Sequence, residues 1–497
     1  MTDDREFDRI LEEELSDLPL PEGEAEEITP WKRAMGRITW GIGLTTITLN
    51  FWYLNYLLPA IGIVLLWLGF RTLRRENKWF TAGWLISVYQ AAAKFTGLVA
   101  NATLWRPPEG IPWWMWLTLA IPFVQLICLW QGIRAVRRKA GQPDEARAAG
   151  ALVVWYGVLC VLAIIGVEGW LLILPILIAY ICILKNLSRM SALLDGAGYE
   201  VKSAPVRVSD RTVWFIWTAA LAVCIPLAGL LFSRYPMEWT PRDQEEQVGL
   251  EELRANLLEL GMQENVLDDL APDDLRLLEG ALSVTTQIYE TSFNEGREAT
   301  TAINTVYDVK ELRLSDIAVE LPGGHWRIIH HFLWQTDPGI RTTECIKLWP
   351  TSDSVRLKGW RQEGAFTGRL LYDWKGTTYT GDYYRIATED YVANSIFFGE
   401  SQNSATFAVF SLPRRGEDCR GYLTYGVEMV EKGWIIDSWN NYTHQISWFN
   451  YPLITAQEHD RKGYWNGARG FSQSQTAIQF YPWDEEEKGA CTVVTDK

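Results

Sequence analysis

Hydrophobic positions fall into two regimes, with a border near residue 235. Up to that point, long uncharged blocks alternate with short, mostly basic loops; beyond Ser283, apolar and polar residues alternate with period two. Val213–Phe232 is the clearest block, twenty residues without a charge. That is the length an α-helix needs to cross a hydrocarbon core of ~30 Å. Further blocks predict spans at 80–104, 111–133, 150–166 and 170–184. Ile38–Phe70 holds 33 uncharged residues, ~50 Å as a single helix and too long for one crossing. It suits two spans, 38–53 and 55–73, with a turn near Tyr53–Tyr56; an interfacial helix followed by one span is the alternative. The expected fold is an α-helical transmembrane bundle of about seven spans over 31–235, then an extracytoplasmic α+β domain. In that domain a short helical stalk (236–281) leads into an antiparallel β-sandwich or partly open barrel (282–497).

Charge assigns the sides. Lys32, Arg33 and Arg37 precede the long block and Arg71, Arg74, Arg75 and Lys78 follow it. Arg134, Arg137, Arg138 and Lys139 form a second basic loop, and Lys185, Arg189, Lys202, Arg207 and Arg211 a third. Basic loops stay cytoplasmic, so the long block reads as a hairpin. Five crossings after the 71–78 loop put the C-terminal domain outside. Many of the 26 Trp stand at block ends, where amphipathic rings favour the membrane interface. No signal peptide opens the chain, so insertion is expected to rely on the first membrane segment.

Residues 1–30 carry twelve Asp/Glu against two Arg and supply most of the net charge of −15. Phe7, Ile10, Leu11 and Leu15 recur at helical spacing within this acidic cytoplasmic tail. An acidic helix is repelled by an anionic leaflet, so its narrow apolar face reads as a dock for a cytoplasmic protein. A solvated, partly disordered tail is the alternative. No basic domain exists, which argues against a nucleic-acid partner.

Polar groups inside spans are costly and therefore suspect as functional. Lys94 stands in AAAKFTG, with Gln90 and Asn101 on roughly the same helical face. The set reads either as a polar path or as a helix that ends early and leaves Lys94 near water. Pro59, Pro122, Pro175 and Pro226 interrupt four spans, and Gly41, Gly43, Gly62 and Gly69 allow close helix contact.

In the outer domain, hairpins are predicted across Pro322-Gly323-Gly324, Lys375-Gly376 and Lys432-Gly433. Further strands are expected at 340–349, 394–400, 404–412 and 444–450. All five His lie here. His330 and His331 are neighbours on a strand and point to opposite faces. His330 shares its face with Trp326 and Trp334, and with His444 and Trp439 these form a candidate ligand surface for an envelope protein or a glycan. Trp360, Trp374, Trp439 and Trp448 could stack on sugars, although core packing explains most aromatics in such a sheet. The Glu458-His459-Asp460 run reads as a solvated helix start. Cys345 and Cys419 are a candidate disulfide, free buried thiols being the alternative. No GxSxG, HExxH, Walker loop or CxxC occurs, and neither a metal nor a cofactor is expected.

ITPWKRAM, LNYLLPAIG, LGFRTLRRENKWF and LDGAGYEVKSAPVRVSD, together with HWRIIHHFLW, SLPRRGEDCRGYLTY and WIIDSWNNYTHQ in the outer domain, resemble segments of uncharacterised multi-pass membrane proteins of clostridial-type Gram-positive anaerobes. The resemblance implies a multi-pass protein of a bacterial plasma membrane and carries no catalytic residues. Two functions are compatible with the whole pattern. One is a non-enzymatic envelope sensor or assembly protein; the other is a transporter or channel component with a polar path around Lys94.

Overall fold

The computed structural model of the chain describes residues 29–46, 49, 51–106, 112–166, 170–196, 199–205, 207–243, 246–295, 308–352, 359–395, 399–463 and 470–482. It divides into two compact units: residues up to Val99 with Pro107–Val223, and Ala100–Arg106 with Cys224–Lys497.

The first unit is helical: α1 (Pro30–Thr46), α2 (Leu54–Leu73), α3 (Lys78–Ala100), α4 (Pro112–Lys139), α5 (Arg147–Ile165), α6 (Trp170–Asp195) and the first half of α7 (Asp210–Phe232). Among the described residues, five helices are long and apolar enough to cross a membrane: Leu54–Leu73, Trp116–Lys139, Arg147–Ile165, Leu172–Asp195 and Asp210–Phe232. Neither α1 nor α3 is among them. The first opens on Lys32, Arg33 and Arg37, and the second carries Lys78, Gln90 and Lys94 between small residues. Between α1 and α2 the chain turns at 51–53, next to the expected position. The two helices pack closely because they meet through glycine. A Cβ on Gly41 would stand 2.8 Å from the Gly62 carbonyl oxygen, and one on Gly69 would stand 2.9 Å from that of Ala34.

Helix ends in this unit are tied by charge. Asp210 pairs with Arg37 at 2.5 Å and also with Arg71. Glu76, wholly buried in the α2–α3 turn, accepts from Lys139 Nζ (2.8 Å), Tyr199 Oη (3.1 Å) and the Lys202 amide (2.7 Å). These loops therefore form one cross-linked layer, which their basic composition alone did not announce.

The second unit is built on two antiparallel sheets. One has the order β1-β7-β6-β10-β4-β3-β2, the other β12-β11-β5-β9-β8. The strands are β1 (Thr240–Pro241), β2 (Ser283–Asn294), β3 (Val309–Leu321), β4 (His325–Trp334), β5 (Glu344–Trp349), β6 (Trp360–Trp374), β7 (Thr377–Gly381), β8 (Arg385–Ser395), β9 (Gly399–Phe410), β10 (Glu417–Met429), β11 (Ile436–Gln445) and β12 (Phe471–Phe480). Period-two patterning sends Leu314, Ile328, Phe332 and Trp334 of the first sheet against Ile346, Leu348, Phe410 and Tyr442 of the second. The sheets face each other as a sandwich. At the β2–β12 edge, Tyr289 Oη donates to the Ala477 carbonyl at 2.8 Å.

Two predicted hairpins form as expected. β3 and β4 pair across Pro322-Gly323-Gly324, and β6 and β7 across Lys375-Gly376, whose φ values of +53° and +76° match the strand twist. The third does not form. β10 already pairs with β4 on one side and β6 on the other, so the chain past Lys432-Gly433 crosses to the opposite sheet as β11. The strand expected at 444–450 stops at Gln445.

The segment expected as a helical stalk is helical, as α8 (Glu251–Glu259), α9 (Glu264–Asp269) and α10 (Pro272–Arg276), but the three short helices lie on the sheet. Their Leu257, Val266, Leu267, Leu270 and Leu275 cover Ile317, Val319, Ile329 and Tyr422 on the outer face of the seven-stranded sheet. Burying that second apolar face outweighs the solvation of an acidic helical pair. On the other sheet, α11 (Ala456–Arg461) begins at a capping box formed by Thr455 and Glu458. Its His459 and Asp460 are buried, not solvated as expected.

Candidate functional site

Lys94, Gln90 and Asn101 do not form a closed polar set. Lys94 is half-buried on α3, with no hydrogen-bond or ion-pair partner among the described residues. Gln90, one turn earlier, has its Oε1 buried without a hydrogen-bond partner. Asn101 lies past the end of α3, in the second unit, and its backbone carbonyl accepts from the Leu453 amide at 2.7 Å. A buried side-chain pair on the helices is one the sequence reading missed: Gln125 Nε2 donates to Ser87 Oγ at 2.8 Å.

The candidates in the β-sheet unit are not a surface. Trp326, His330, Trp334 and His444 all point between the sheets and are buried. Trp439 lies on the other face of its strand, half-buried, its indole N–H donating to Asp437 at 2.6 Å. The cause is register: Ile436, Ser438, Asn440, Tyr442 and His444 alternate inward along β11, and Trp439 falls on the odd phase.

What the sheets enclose is a set of polar relays. His330 Nδ1 lies 2.6 Å from Asp316 Oδ1 and its Nε2 2.8 Å from Ser438 Oγ. Tyr425 Oη donates to Ser438 at 2.8 Å and itself accepts from the Thr351 amide at 3.1 Å. With Tyr425 donating, the Ser438 hydroxyl proton is directed to Nε2, and Nδ1–H then faces Asp316. The Asn440 amide adds bonds to Asp316 (2.7 Å) and Thr476 (2.8 Å). An Asp–His–Ser sequence of contacts is the arrangement that activates a serine nucleophile. Here Ser438 is 0 % exposed, and the relay joins the two sheets.

A second relay holds His444 between two carboxylates. Nδ1 is 2.9 Å from Glu344 Oε1 and Nε2 is 3.0 Å from Glu295 Oε1. Glu295 also receives the Gly339 and Ile340 amides. Trp334 and Phe293 stand edge-on to the imidazole at 4.9 and 5.5 Å. Burial alone would lower the imidazole pKa. The Glu344 charge and the hydrogen bonds to both carboxylates override it and lift the value to about 9. Burial also raises the Glu344 carboxyl. The site therefore keeps an imidazolium at neutral pH.

Further pairs mount the helices. Asp269 of α9 accepts from His331 Nε2 (2.8 Å) and Arg420 Nε (2.7 Å), and these contacts hold its carboxyl low against the raising effect of burial. Lys347 meets Asp460 of α11 at 2.7 Å, its ammonium lying over the rings of Trp349 (4.4 Å) and Tyr391 (4.8 Å). His330 and His331 thus serve opposite faces of one strand, as their adjacency requires.

Cys345 and Cys419 are free thiols, so the candidate disulfide is not made. The first lies under α11 on the outer face of one sheet, the second in the core between sheets. Among the described residues no group of three His, Cys, Asp or Glu could hold a metal ion. Phe7, Ile10, Leu11 and Leu15 of the tail lie outside the described residues. The relays had a legible signal: Asp316, Ser438, Asn440 and His444 are polar residues on the inward phase of apolar strands. Which of them meet across the sheets had none.

No family model matches the chain, and no curated protein matches it. Among solved structures, one reported as "pH-induced modulation of Streptococcus parasanguinis adhesion by Fap1 fimbriae" is similar over 40% of this chain and 92% of its own, at 11% identity and a TM-score of 0.18. A similarity of that size establishes neither fold nor function.

Proposed function

We propose that the chain is a multi-pass protein of a bacterial plasma membrane that serves as a non-enzymatic envelope sensor or interaction protein. In this reading seven spans include α1 and α3, the acidic tail is cytoplasmic and the β-sandwich is extracytoplasmic. The observation that carries it is the burial of the relays: His330, Ser438, Asn440 and His444 are enclosed between the sheets and bonded to buried neighbours, with Asp316 Oδ2 left without a hydrogen-bond partner, so such a domain works through its outer surface. That surface would meet an envelope protein or a glycan, and the Phe7–Leu15 face of the tail would dock a cytoplasmic protein. The resemblance to multi-pass proteins of clostridial-type anaerobes is of a piece with this placement. Protease added to intact cells tests it: fragments cut beyond Phe232 are expected, and cleavage there only after the cells are opened would refute the orientation.

A transporter is the second reading, favoured by the unpartnered Gln90 Oε1 one turn from Lys94. Lys94→Met in reconstituted vesicles distinguishes the two. A transporter would lose most of its anion flux; a sensor would have no protein-dependent flux to lose.

A further inference from the structure

The second unit contains, besides the sandwich, the last turns of α7 and the strap 100–106, and these fix the depth of one loop. Leu104 N–H donates to the Phe232 carbonyl at 2.9 Å, and Leu453 N–H to that of Asn101 at 2.7 Å. Arg106 donates to the Leu453 carbonyl at 2.6 Å and pairs with Glu458 at 3.3 Å. From the other side, Arg234 donates to the Leu412 carbonyl, the Tyr235 amide to Ser411 Oγ at 3.0 Å, and the Tyr235 ring stacks on Tyr384 at 4.7 Å. The end of α7 is thereby clamped to the sandwich.

Within that clamp, the loop after β11 reads Ser447-Trp448-Phe449-Asn450-Tyr451. Phe449 lies against α7: a Cβ on Gly229 would stand 3.2 Å from its ring. Gly229 is three residues before the last helical residue, ~4.5 Å along the axis, and so lies inside the apolar block. Tyr451 stacks on Phe449 at 6.3 Å and the Trp448 ring lies 5.4 Å from it. Trp448 is 77 % exposed, Trp105 of the strap 62 %, and the neighbouring helix residues Leu230 and Phe232 69 % and 60 %. An exposed apolar patch of this kind requires a partner, and this one is continuous with the apolar surface of a membrane-length helix. Trp and Tyr, each an apolar ring with one polar group, are the residues that favour the headgroup zone.

We propose that Trp448, Phe449, Tyr451 and Trp105 insert into the lipid headgroup–acyl boundary at the C-terminal end of α7, so that the sandwich rests on the bilayer at this loop. The occupant is lipid, because Phe449 packs on α7 at Gly229, within the apolar block that ends before the first charged residue after the helix, Arg234. The proposal rests on α7 spanning the membrane, and the test separates the two. The full chain, with an environment-sensitive fluorescent amino acid at position 448, 216 or 430, is reconstituted in phosphatidylcholine vesicles bearing spin labels in the headgroup region or deep in the acyl chain. Ile216 is exposed within α7, and Val430 is exposed at the opposite end of β11 from the loop. The probe at 448 is expected to lose roughly half its emission to shallow labels, that at 216 to respond to deep labels, and that at 430 to neither. A probe at 448 that behaves like 430 while 216 is quenched overturns the anchor and leaves the span intact. An unquenched 216 overturns both.

Discussion

His444 shows how much one residue's charge depends on its neighbours. Its pKa stands at about 9 against an ordinary 6.5. A raised histidine contributes stability that is complete below the unfolded value and is lost as pH climbs through the folded one. Glu344, which also holds its proton more tightly when folded, tilts the curve in the same direction. Thermal unfolding of the purified protein should therefore show its midpoint falling between about pH 6.5 and 9. His444→Gln should flatten that slope and, by leaving two buried carboxylates facing a neutral amide, cost about 3–5 kcal/mol at neutral pH; an unchanged slope would refute the clamp. Ser438→Ala leaves the Tyr425 hydroxyl and His330 Nε2 without this partner. It should cost about 1–3 kcal/mol in chemical denaturation, whereas a catalytic serine could be truncated with little loss of stability.

At the scale of elements, the α1–α2 contact depends on the absence of side chains. With the Gly62 carbonyl oxygen 2.8 Å from where a Gly41 Cβ would be, Gly41→Leu must push the helices apart. A loss of about 1–3 kcal/mol is expected, together with a longer α1–α2 separation measured by paired spin labels; an unaltered distance would show that the hairpin does not depend on this contact. α8–α10 illustrate the opposite case. Their acidic sequence reads as a stalk, yet a leucine face and Asp269 bind them to the sheet. Asp269 is 1 % exposed because His331 and Arg420 reach it from two strands, and no local pattern marks such a pairing.

At the scale of the whole molecule, the two thiols that sequence reading joined become reporters of unfolding. Cys345 and Cys419 are both buried, and burial pushes both thiols up, away from reactivity. An alkylating reagent should leave both unmodified in the native protein and label them in step with loss of the sandwich's aromatic signal under denaturant. Rapid labelling under native conditions would mean that one of the sheet faces opens locally. Reducing agent should leave the unfolding midpoint unchanged.

Local, periodic information was enough for the order of the parts. Uncharged blocks from Leu54 to Phe232 mark the long apolar helices, and the alternation around His330 and His331 marks strands and assigns those two rings to opposite faces. Turn chemistry at Pro322–Gly324 and Lys375-Gly376 fixed two hairpins, because those backbone conformations are properties of a few adjacent residues. Tertiary structure alone decided that β11 leaves its sequence neighbour for the other sheet, since both edges of β10 were occupied from far along the chain. It also decided that Trp326, His330, Trp334 and His444 face an interior and not a ligand. Alternation reveals that a strand has two sides; only the packing of the second sheet tells which side water can reach.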